Sequence, residues 1–73
     1  VKKIRKETDM VRINGIDVNA AGKSLAAYID ENDYPRMRIA VERNGKIVPK
    51  ARYEETILTD GDKIEIVSFV GGG

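Results

Sequence analysis

Apolar and polar positions alternate in short blocks along this chain, and turn residues separate the blocks. In Met10-Val11-Arg12-Ile13, Val11 and Ile13 fall on one face, and Ile16-Asp17-Val18 alternates again after Asn14-Gly15. Successive side chains of a strand point to opposite faces, so each block reads as a half-buried strand. Asn-Gly between them predicts a hairpin, because a type I′ turn needs positive φ at both central residues. Met37, Ile39 and Val41 alternate with Arg38, Ala40 and Glu42 and predict a third strand, and a second pair, Asn44-Gly45, leads into Lys46-Ile47-Val48. Pro49 has no N–H to donate to a ladder, so this short strand ends there or lies at an edge. Lys50 to Leu58 reads as irregular or briefly helical, with Tyr53, Ile57 and Leu58 available to the core. After a tight turn at Asp60-Gly61-Asp62, the last strand runs Lys63-Ile64-Glu65-Ile66-Val67 toward Val70.

The period changes once. Leu25, Tyr28, Ile29 and Asn32 stand at i, i+3, i+4 and i+7, which predicts one short amphipathic helix over about Leu25 to Glu31. Ser24 can cap it by accepting a backbone N–H, although Ala27 leaves the capping box without its Glu. Asn32-Asp33 and then Pro35 close it, since the residue before proline is disfavoured in helical geometry. The order β-β-α-β-β-β, with one helix to cover one face, predicts an α+β two-layer sandwich with a mixed four- or five-stranded sheet. Pairing the last strand with the first would bury the most regular alternating blocks. The expected core is Val11, Ile13, Ile16, Val18, Leu25, Ile29, Ile39, Val41, Leu58, Ile64 and Ile66.

Composition then removes whole classes of chemistry. The 73 residues contain no Cys and no His, which excludes disulfides, zinc fingers, thiol catalysis and imidazole acid–base work. A chain this short buries only about 60% of its unfolded surface, so stability rests on compact aliphatic packing. Net charge is +1, with the basic excess in the first nine residues and nine basic against ten acidic residues from Met10 onward. One Phe and three scattered Tyr, without a dense basic patch, do not suggest a nucleic-acid platform. No apolar run approaches the roughly 20 residues of a membrane-spanning helix. The lack of Cys fits a cytoplasmic protein. Residues 1–9 read as a flexible extension, 10–70 as the folded domain and 71–73 as a flexible glycine tail.

No internal group of residues looks catalytic. Ser24 and Ser68 have no evident base, Glu54-Glu55 sits among basic neighbours, and Asp60-Gly61-Asp62 falls far short of a calcium loop. No metal site is expected. The unusual feature is an apolar strand that runs into Gly71-Gly72-Gly73. Composition alone leaves two readings: a frayed terminus, or a side-chain-free tail able to thread a narrow channel with its carboxylate as the reacting group. With Ile64 and Ile66 facing inward, Val67 and Phe69 take the opposite phase and become candidate partner-binding residues next to the tail, together with Val70.

The ordered run Asn44-Gly45-Lys46-Ile47-Val48-Pro49, Tyr53, Thr56 to Val67 with its Asp60-Gly61-Asp62, and Val70-Gly71-Gly72-Gly73 closely resembles the ThiS family of sulfur carriers in thiamine biosynthesis. The resemblance covers Met10 to Gly73 and implies a β-grasp, ubiquitin-like fold and a carrier that is not an enzyme. It implies that an E1-like adenylyltransferase activates Gly73 with ATP and magnesium, neither of them bound by the carrier itself. A desulfurase or rhodanese-type relay would then supply sulfur to form a thiocarboxylate, and thiazole synthase would take that sulfur. Two departures stand out: the nine-residue extension, and Phe69 where a small or polar residue is expected. Molybdopterin synthesis, tRNA thiolation and a passive β-grasp binding module are the alternatives. The apolar "F-P-P-V" approach to Gly-Gly expected of the molybdopterin subunit is absent from Ser68-Phe69-Val70.

Overall fold

The computed structural model describes residues 10–69; the expected extension, Val70 and the three glycines lie outside the described residues. Five strands form one mixed sheet in the order β2-β1-β5-β3-β4: β1 Val11–Ile13, β2 Ile16–Val18, β3 Ile39–Arg43, β4 Lys46–Val48 and β5 Lys63–Ser68. The last strand lies parallel to the first, with Ile13 beside Ile64, and antiparallel to β3, with Val41 beside Ile66. Both edge strands are the second arms of Asn-Gly hairpins, and β4 stops before Pro49. Asn14, Gly15, Asn44 and Gly45 all have positive φ, between 52° and 87°, as the primed turns require.

Among the described residues one α-helix, α1 (Leu25–Glu31), covers one face. The Ser24 Oγ accepts the Ala27 N–H at 3.0 Å, the cap expected from sequence. The N–H groups of Leu25 and Ala26 donate to the carbonyls of Thr56 and Tyr53, so the irregular segment after β4 satisfies the start of the helix. That segment opens with a 3-10 turn, Lys50–Arg52, and delivers Tyr53 and Leu58 into the core. Val11, Ile13, Leu25, Ile29, Ile39, Val41, Leu58, Ile64 and Ile66 are buried as expected, joined by Ala20, Ala26 and Tyr53, with Val18 packed at the margin. Three expectations fail. Ile57, available to the core on sequence grounds, is exposed while its neighbour Leu58 is buried. Ile16 shares the inward phase of its partner Ile13, yet it lies on the outermost strand and is exposed. Met37 does not extend β3: Arg36–Arg38 forms a 3-10 turn after Pro35, and Met37 stands in solvent.

The two asparagines do more than shape turns. At Asn14 the chain leaves the sheet, and its carboxamide takes over the ladder. The Ile66 N–H donates to Asn14 Oδ1 at 2.7 Å, and Asn14 Nδ2 donates to the Ile66 carbonyl at 3.2 Å. On the β3 side at the other end of β5, Asn44 Oδ1 accepts the Lys63 N–H at 2.9 Å, and the Asn44 backbone N–H donates to the Lys63 carbonyl at 2.8 Å. The central strand is thus clamped from both flanks by residues far away in sequence.

Asp62, read from sequence as one residue of a plain turn, is buried and closes a polar cluster at the start of β5. It accepts from the Thr59 N–H and Oγ1, Asn44 Nδ2 and Arg43 Nε, all at 2.9–3.0 Å. Burial pushes its carboxyl pKa up, but the bonds from Thr59, Asn44 and Arg43 outweigh burial and hold it below the ordinary value. A lowered native pKa stabilises the fold above the ordinary aspartate value of about 3.9, and that stabilisation disappears as pH falls through the lower native value. Urea midpoints measured from about pH 6 down to about pH 2 should therefore fall less steeply for Asp62→Asn than for the wild type. Parallel acid limbs would show that Asp62 does not drive the loss.

Candidate functional site

The sheet face away from α1 carries the out-phase residues of β5 and their neighbours. The register sets Ala40 opposite Val67, and Glu42 opposite both Glu65 and Ile47. Val67 is 58% exposed and Phe69 55%, so both candidate residues within the described range face solvent as their phase predicts. Ile47 is exposed on the same face. Toward the start of β5 this face turns polar: Lys63 lies 3.8 Å from Glu65, and Arg12 pairs with Asp17 at 3.3 Å. A shallow depression between Glu42, Gly45, Lys63 and Glu65 is correspondingly charged and open.

The end of β5 is held on one side. The Phe69 N–H donates to the Arg38 carbonyl at 2.7 Å, so β3 and the turn before it keep the chain extended to residue 69. Sequence reasoning could not have assigned this role to Arg38, because its contact depends on the register between strands some thirty residues apart. Val70, Gly71, Gly72 and Gly73, the other candidate residues, lie outside the described residues. Among the described residues no cluster of three or more Asp, Glu, His or Cys could hold a metal ion. No helix there is long and apolar enough to cross a membrane. What the geometry offers is an extended strand end, bonded to β3 along one side and rimmed by exposed apolar side chains.

Exposed apolar residues beside a point of attachment can act as binding anchors. Phe69→Ala should leave the fold intact, since the ring is largely in solvent. It should weaken the complex with a protein that receives the tail by about 1–2 kcal/mol, roughly five- to thirtyfold in Kd. Calorimetric titration against a protein that binds the tail is the check, and unchanged affinity would remove Phe69 from the interface.

Residues 7–73 match the model of the ThiS family. The sulfur carrier protein ThiS of Bacillus subtilis is 44% identical over 70 aligned residues, covering 88% of this chain and 100% of that protein. A thiazole synthase of Paramagnetospirillum magneticum is 45% identical over 62 residues, but there the match spans 84% of this chain and only 19% of the relative. In structure, the chain superposes on a thiamine biosynthesis protein (ThiS) from Geobacter metallireducens with a TM-score of 0.71 at 24% identity, over 88% of this chain and 99% of that one. This last likeness establishes the shared β-grasp fold.

Proposed function

Because the chain belongs to the ThiS family, we propose that it carries sulfur for thiazole formation in thiamine biosynthesis, with the carboxylate of Gly73 as the group that is modified. The observation that carries this reading is the reach of the family match, which runs through the glycines to residue 73. The chain is then a carrier and not a catalyst. Its own contribution is an extended strand end and a tail without side chains.

A carboxylate is a poor electrophile, and adenylation corrects that. An E1-like adenylyltransferase brings the Gly73 carboxylate to the α-phosphate of ATP with magnesium, and pyrophosphate leaves as the acyl-adenylate forms. The terminal sulfur of a relay persulfide then attacks the carbonyl carbon and AMP departs, and a thiol reductant cleaves the resulting acyl disulfide to leave a thiocarboxylate. Thiazole synthase takes the sulfur, and Gly73 returns to a carboxylate with an oxygen supplied by the sulfur-accepting substrate or by water. The partner surface is Val67, Phe69 and Val70, and the compartment is the cytoplasm. Glycine at 71 to 73 lets the enclosing protein approach the backbone closely.

Thiazole synthase as a partner is supported by the relative from Paramagnetospirillum, in which a segment similar to this chain lies within a single longer polypeptide. Reconstitution tests the pathway: thiazole phosphate should form only when this chain, the activating enzyme, a sulfur source and thiazole synthase are all present. Sulfur transfer to molybdopterin precursor or to tRNA, without thiazole formation, would reassign the pathway. No transfer to any acceptor would favour a passive binding module.

A further inference from the structure

The backbone groups of β5 divide between its two neighbours. The Phe69 N–H donates to Arg38, and Val67 and Glu65 lie opposite Ala40 and Glu42, so odd-numbered residues turn their polar groups toward β3. Even-numbered residues turn theirs toward β1: the Ile64 carbonyl accepts from Asn14, and Ile66 is bonded at both groups by the Asn14 carboxamide. There β1 has ended, and the register of β1 with β5 stops at Ile64. Ser68 is next in this series, and among the described residues its N–H and C=O have no hydrogen-bond partner on the β1 side. The sheet therefore has an internal edge, one strand wide. It is held straight by β3, open opposite, and sealed by Asn14 only as far as Ile66.

We propose that this edge at Ser68 receives an extended segment of thiazole synthase, which adds a strand alongside β5 when the tail is bound. The proposal rests on the sulfur-carrier reading above and says how the tail is held. The thiazole synthase relative that carries a segment similar to this chain points to the occupant, and two physical arguments support strand addition by a protein that encloses the tail. Four residues separate Phe69 from the end of Gly73, at most about 14 Å of extended chain, so a protein enclosing the Gly73 carboxyl must place its own backbone close to Ser68. Three of those four residues are glycine and present only backbone N–H and C=O groups. Strand addition recognises such groups, and here it can start from a strand already held extended.

Amide exchange followed by NMR on the full chain is the test. In the free protein the Ser68 amide should exchange at least about tenfold faster than those of Ile66 and Val67, which are bonded to Asn14 and paired to β3. Saturation with thiazole synthase should slow Ser68 at least about tenfold. Ser68→Pro removes an N–H that the fold does not use and should weaken this complex about three- to tenfold, whereas Ser68→Ala should bind like the wild type. A thermal melt shows whether the proline variant stays folded, and exchange on the wild type decides the matter if it does not. A Ser68 amide already slow in the free protein would mean that the edge is occupied by this chain or by a second copy, and would overturn the proposal. Exchange unchanged in the complex, or slowed only by the activating enzyme, would do the same. If thiazole forms in the reconstitution while Ser68 stays fast, the edge proposal alone fails.

Discussion

Ile64→Ala should melt at least about 10 °C below the wild type and lose about 2–5 kcal/mol of stability. Ile64 is fully buried on the central strand, between Ile13 of β1 and Arg43 of β3, so its loss leaves a cavity that neither neighbour can fill by moving alone. A domain of this length has a total stability of roughly 4–11 kcal/mol, so the change takes a large share of it. Val67→Ala, on the same strand but on the exposed face, should cost no more than about 0.5 kcal/mol. Equal melting temperatures for the two variants would contradict the register of β5.

That register was legible because alternation over Lys63 to Val67 leaves only one phase that buries two isoleucines. The hairpins were legible for a related reason: Asn-Gly states its turn type locally, and the helix announced itself through Ser24 and one change of period. The failures have a common cause. Alternation gives the face of a residue but not whether anything covers that face, so Ile16 has the right phase yet stands exposed on an edge strand. Met37 continues an alternating pattern on paper, but Pro35 starts a tight turn before the strand can begin. The clamps made by Asn14 and Asn44 were hidden because they join positions up to 52 residues apart, where no local pattern reaches. Asp62 left a fainter trace. Thr59 three residues before an Asp is a local pattern in which a side-chain carboxylate can accept a backbone N–H. Of the site, phase assigned Val67 and Phe69 to the face opposite Ile64 and Ile66, the structure shows that face uncovered there, and the chemistry assigned to Gly73 came from the family resemblance.

Extension of the tail should have the largest functional effect. One residue added after Gly73 moves the proposed acceptor carboxylate by roughly 3.3–3.6 Å along an extended chain. Misplacement of about 1 Å can already cost on the order of 100-fold in rate, so activation of the extended chain should be undetectable. Removal of Gly72 and Gly73 should abolish it equally by withdrawing the carboxylate from the α-phosphate. Neither change touches a residue of the buried cluster, so both variants should melt with the wild type. Loss of activation together with loss of folding would mean that the tail supports the domain instead of serving a partner.

The most direct measurement is the intact mass of the wild-type chain after incubation with the activating enzyme, ATP, magnesium and a sulfur donor. Replacement of one carboxylate oxygen by sulfur adds about 16 Da, and fragmentation should place that increment at Gly73 and nowhere else. A chain whose mass does not change under conditions that convert a known carrier, or one that gains sulfur at another residue, would contradict the assignment of Gly73 as the sulfur-bearing group.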